Sequence, residues 1–215
     1  MDSDCQENMA ARSQIFKRFL ALRRASTHKQ AVKSVGTSTS YSKEPSAWER
    51  STYKYFLPIQ TRWSDNDQYG HVNNVVYYSY FDTVINHYLI KCCGLETDIK
   101  LSDFVGYMVD TGCSFRKPLS FPERVLAGLK VSQLGRSSVT YQVAIFGEQN
   151  AENSKSETLS DVGVIGELNF QATNLKNFNP TASAVGHCVH VFVNPETNAS
   201  CALPDAMRKG LENIS

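Results

Sequence analysis

The chain has 215 residues, 41% of them hydrophobic, and a net charge of +1. Length and apolar content suit one ordinary domain with a real core, plus tails. The near-neutral charge gives no electrostatic case for nucleic acid or an anionic membrane, and no run of about 18 apolar residues is present to span one.

The first fifty residues stand apart. From Met9 to Lys43 there are eight Lys or Arg and no Asp or Glu, with many Ser and Thr. Within this stretch SQIFKRFLALRR has the spacing of a short amphipathic helix, Ile15, Phe19 and Leu22 sharing a face. This is the composition of a mitochondrial transit peptide, although the acidic start MDSDCQE argues against one. A removable targeting segment and a disordered basic arm both remain open, and with them a mitochondrial-matrix or a cytoplasmic location. The six cysteines, Cys5, Cys92, Cys93, Cys113, Cys188 and Cys201, form no CxxC pair. Reduced thiols are the simpler reading.

After residue 50 the pattern turns to strands. Tyr53, Tyr55, Leu57, Ile59, Thr61 and Trp63 alternate as in a half-buried strand, with Pro58 pointing to an edge or a bulge. Helical spacing then takes over from Tyr77 to Cys93. Tyr77, Phe81, Val84, Tyr88 and Cys92 line one stripe, flanked by Tyr80, Ile85 and Leu89, and Gly94 sits where a C-cap belongs. Alternation returns at Val105, Tyr107, Val109, Thr111, Cys113 and Phe115. Strands over Val125–Gln133 and Val139–Ile145, joined at Leu134-Gly135-Arg136, read as a hairpin. A polar loop follows from Glu148, then a candidate strand over Val162–Ala172 and a last strand over Gly186–Val193. His187 and His190 fall on opposite faces of that strand, and neither is assigned a function. Residues 203–211 read as a short terminal helix. The expected organisation is a basic tail over 1–50, one domain over 51–204 and a C-terminal tail or short helix over 205–215. One long helix among antiparallel strands is an α+β pattern, and the helix is best buried if the sheet curls around it.

The chemistry crowds ahead of the helix. Residues 62–78 read RWSDNDQYGHVNNVVYY. This stretch resembles the signature of the 4-hydroxybenzoyl-CoA thioesterase family of hotdog proteins, and is similar to the RWSDxDxxxHVNNxxY stretch of plant acyl-ACP thioesterases. Three weaker pieces support it: FRKPL from Phe115, GRSSVTY from Gly135 and GHCVHVFV from Gly186. The resemblance covers about Tyr53 to Pro204 and departs over 148–184, where an insertion is expected. It implies a hotdog fold, an antiparallel sheet wrapped around one long central helix. It also implies a homodimer or homotetramer, a thioester hydrolase acting on acyl-CoA, and no metal or redox cofactor.

The same resemblance places Asp67, the second Asp of DxD, as general base or nucleophile, and the backbone N–H near Asn74 as oxyanion donor. Physical chemistry agrees. A helix start carries unpaired N–H groups and the positive end of the dipole, which suit a developing oxyanion. A carboxylate beside them can activate water or attack directly. His71 matches the second helper of the plant enzymes, but Tyr69 stands where the first is usually Asn. His71 therefore reads equally as catalytic helper or as structural hydrogen-bonding residue. Asp65 reads as an N-cap or Asx-turn residue. Asn73 reads as a cap, with substrate contact as the lesser alternative. Lys117, Arg136, Ser137 and Ser138 are candidates for CoA phosphates. A metal on Asp65, Asp67 and His71 lacks a second ligand cluster. Other readings on the same fold stay open: an acyl-ACP thioesterase, a non-catalytic protein binding acyl-thioesters or a protein partner, which Tyr69 and the insertion favour, and, more weakly, a dehydratase.

Overall fold

The structure is a computed structural model, and it describes residues 46–98, 102–149 and 175–215. The basic segment and the candidate strand at 162–172 lie outside these residues.

Five strands form one antiparallel sheet: β1 (Tyr55–Gln60), β2 (Val105–Phe115), β3 (Arg124–Leu134), β4 (Ser138–Gly147) and β5 (Ala184–Val193). Their order is β1-β3-β4-β5-β2. Helix α1 (Asn74–Cys93) packs on the inner face, and α2 (Asp205–Glu212) packs beside it. This is the hotdog arrangement.

Alternation makes the inner face. Val125, Ala127, Leu129 and Val131 of β3, and Val139, Tyr141, Val143 and Ile145 of β4, all face the helix and share one core with it. Helix α1 supplies Tyr77, Tyr80, Phe81, Val84, Ile85, Tyr88, Leu89 and Cys93. Cys93 is buried in place of the expected Cys92, which is half-buried, because Gly210 of α2 packs against Cys93. Gly94 ends the helix in the left-handed conformation, φ 65°. Pro58 lies on an edge strand, as expected.

Two strand readings change. The first strand stops at Gln60, and Trp63–Asp65 forms a 3-10 turn that leaves Trp63 80% exposed. The turn is pinned where the Asp65 carboxylate accepts the Arg62 N–H at 2.8 Å. In β2 a register shift between Met108 and Asp110 breaks the alternation. Since β2 is also an edge, Tyr107 and Phe115 stay about half exposed.

The sheet is covered on its outer face too, at one corner. Tyr53, Leu126, Ala144, Phe146, Phe178 and Ala182 form a second small core there. It joins the residues ahead of β1 to those ahead of β5. The terminal helix is part of the main core through Met207 and Leu211, as is Ile214 just after it. The Tyr88 hydroxyl donates to the Gly210 carbonyl at 2.6 Å. A Cβ on Gly210 would meet Cys92 O at 2.7 Å, so glycine permits this close approach. The five cysteines among the described residues are all free, and no described helix is long and apolar enough to cross a membrane.

Candidate active site

The loop from Asp65 to Asn73 is cross-tied along its length. The Asn73 N–H donates to Asp65 O at 2.8 Å, the Asp67 N–H to His71 O at 2.7 Å, and the Val72 N–H to Leu119 O at 2.7 Å. The Asn66 side chain accepts the Phe121 N–H at 3.1 Å. Gly70, at φ 79°, allows the reversal. The loop is thereby locked to the segment that follows β2.

Asp65 is the anchor beneath it. It is 1% exposed and accepts four bonds, from the Arg62 N–H and Nε, from Arg62 Nη2 at 2.8 Å, and from the Tyr80 hydroxyl at 2.8 Å. Burial pushes its pKa up, but the Arg62 backbone, the guanidinium and Tyr80 outweigh burial, and the net shift is downward. Asp65 is thus not the N-cap of α1, a place Asn73 takes; it ties the loop to that helix. Asp65→Asn should cost about 1.5–3 kcal/mol at neutral pH. Because the folded pKa is depressed, this stabilisation is present above the ordinary aspartate value, near 3.9. It fades as pH falls through the lower folded value. Denaturant unfolding of both proteins at pH 7 and near pH 3 should show the gap between them shrinking in acid.

Asp67 is held differently. Its Oδ1 accepts the Tyr69 N–H at 2.8 Å and the His71 N–H at 3.3 Å, an Asx-turn. Its Oδ2 accepts no donor among the described residues. One oxygen is fixed and the other is available for chemistry. Asn73 caps α1, its side chain accepting the Val75 N–H at 3.2 Å. Asn74 is the first helical residue, and no described acceptor takes its N–H.

These residues share a cleft of about 420 Å³ lined by Asp67, His71, Val72, Asn73, Asn74, Tyr77 and Phe115–Pro118. The cleft thus holds a half-free carboxylate, the start of a helix and, on exposed Lys117, a cation. The Tyr77 hydroxyl stays protonated. Burial, then Cys113 and Glu123, push it up to about 12, against a hydrogen bond with the Leu119 backbone. His71 is exposed, and its ring bonds no described residue. Among the described residues no group of three or more His, Cys, Asp or Glu could hold a metal ion.

Arg136, Ser137 and Ser138 are not in this cleft. Arg124 at the start of β3 opposes Gln60, which leads into the Asp67 loop, so Leu134 lies at the far end. An 11-residue strand spans roughly 35 Å, which carries the hairpin turn to the opposite end of the sheet. There Arg136 O accepts the Leu203 N–H at 2.9 Å, and Ser137 O accepts the Phe192 N–H at 2.8 Å. Within one chain Arg136 ties the turn to the C-terminal segment, and Ser137 and Ser138 tie it to β5. Val72, Phe115, Arg116 and Pro118 also line the cleft without any motif that marks them as site residues; Phe115 reads only as a strand residue, and the Arg116 guanidinium lies 3.6 Å over the Trp48 ring.

The family model described as the thioesterase superfamily matches residues 69–153, beginning just after Asp67. The structure of the PA5185 protein from Pseudomonas aeruginosa is similar at 36% identity and TM-score 0.61, covering 78% of this chain and 95% of that one. The chain belongs to the thioesterase superfamily. More distant superfamily folds align as well. A 1,4-dihydroxy-2-naphthoyl-CoA thioesterase from Synechocystis aligns at 15% identity and TM-score 0.55, over 74% of this chain and 96% of that one. A Thermus thermophilus thioesterase complexed with coenzyme A and zinc aligns at 20% identity and TM-score 0.51, over 74% and 98%. These two speak for the hotdog thioesterase fold alone. No curated protein matches the chain.

Proposed function

We propose that this thioesterase hydrolyses acyl-CoA to a free acid and CoA, with Asp67 Oδ2 as the reacting oxygen. The observation that carries the reading is the half-free Asp67 carboxylate sharing one cleft with the start of α1. Two N–H groups fix the carboxylate through Oδ1, which leaves Oδ2 to deprotonate water or attack the thioester carbon. The Asn74 N–H, backed by the helix dipole, receives the oxyanion. Lys117 at the cleft supplies a cation for the phosphates of the carrier. CoA is the carrier named for the Synechocystis enzyme and bound in the Thermus complex, and the same carrier is proposed here. Thiol release from acyl-CoAs by the full chain tests the reading, and acyl-ACP is the comparison carrier.

The assembly we propose is a homodimer or homotetramer formed through β2. Among the described strands β2 lies at the edge of the sheet and exposes Tyr107 and Met108, a surface that a second strand would cover. Sedimentation should give a multiple of the chain mass, and Met108→Arg should shift the population toward monomer.

A further inference from the structure

Phe115 is oddly placed for a large aromatic. It is the last residue of edge strand β2 and 46% exposed, yet it lines the cleft with Tyr77, its ring centroid 5.0 Å away at 79°. Tyr77 is fixed: it is 3% exposed and its ring lies 6.2 Å from Tyr80. Within one chain Phe115 is exposed over nearly half its surface. Past this pair the same face of β2 continues through Cys113, packed against the main core, to Thr111, whose hydroxyl lies 3.4 Å from Cys188 Sγ. The two rings therefore stand between the cleft and the inner side of β2.

We propose that the Phe115–Tyr77 ring pair closes the acyl end of the cleft, and that Phe115 sets the upper limit on acyl length. The inference rests on the acyl-CoA reading and adds the substrate class: short or compact acyl groups. The cleft volume fits. About 420 Å³ is toward the low end of the roughly 300–1,000 Å³ of ligand pockets, and this space must also hold the thioester and the end of the carrier arm. A longer chain has to displace a ring. Tyr77 is held in the core of the central helix, whereas Phe115 sits at a strand end and is half exposed within one chain, so the limit resides in Phe115.

The test is a kcat/KM profile from acetyl-CoA to palmitoyl-CoA for the wild type, Phe115→Ala and Phe115→Leu, all as the full chain. Circular dichroism checks folding, and the leucine variant keeps an apolar group at the site should the alanine variant fold poorly. The wild type should favour the short end. The palmitoyl-to-butyryl ratio should rise by about tenfold or more in the variants, the scale on which a hydrophobic pocket discriminates methylenes. A wild type that already prefers palmitoyl-CoA, or a ratio unchanged in both variants, overturns the inference while the acyl-CoA reading stands. No wild-type turnover at any length overturns that reading and this inference with it.

Discussion

Asp67→Asn should lower kcat/KM for the preferred acyl-CoA by about a hundredfold or more, roughly 3 kcal/mol of barrier, and leave the fold intact. The substitution separates the two jobs of the carboxylate. An amide oxygen at the Oδ1 position still accepts the Tyr69 and His71 N–H groups, so the turn survives. An amide nitrogen at Oδ2 neither takes a proton from water nor attacks a thioester. Unfolding free energy should move by no more than about 1 kcal/mol, since no buried acceptor is lost. His71→Ala is the companion measurement. His71 enters the Asp67 turn through its backbone, so a small effect assigns the work to Asp67 alone, and a large one makes the imidazole a participant.

Gly186→Ala should destabilise the protein by about 3 kcal/mol, the upper end of overpacking costs. A Cβ at this position would sit 2.3 Å from the Phe81 ring and 2.7 Å from Gly112 O. The ring belongs to the central helix and the carbonyl to the neighbouring strand, so there is no free direction in which to yield. Thermal unfolding should show the loss directly. Adding Phe81→Leu should recover only part of it, because the Gly112 contact is backbone and stays. Full recovery would mean that the ring alone sets the constraint.

Much of this architecture was legible in the sequence because it is local. The Gly94 cap, the edge proline Pro58 and the Leu134–Arg136 turn each follow from one residue type and its spacing. The cleft was partly legible for the same reason: Asp67, His71, Asn73 and Asn74 lie within one short loop at a helix start, and Lys117 follows a strand end. Long-range placement was not legible. Nothing in GRSSV says that strand length carries Arg136, Ser137 and Ser138 to the far end of the sheet. The break at Met108–Asp110 cannot be read from an alternating pattern that continues through it. The buried role of Asp65 depends on Tyr80, fifteen residues away on the helix. Phe115 looked like one more strand residue, and only the fold puts its ring against Tyr77.

Thiol release by the full-length wild-type chain across acyl-CoAs of increasing length is the most direct test of the central claim. Steady turnover is expected on at least one acyl-CoA, concentrated among short or compact acyl groups. A folded protein that releases no thiol from any of them would contradict that claim.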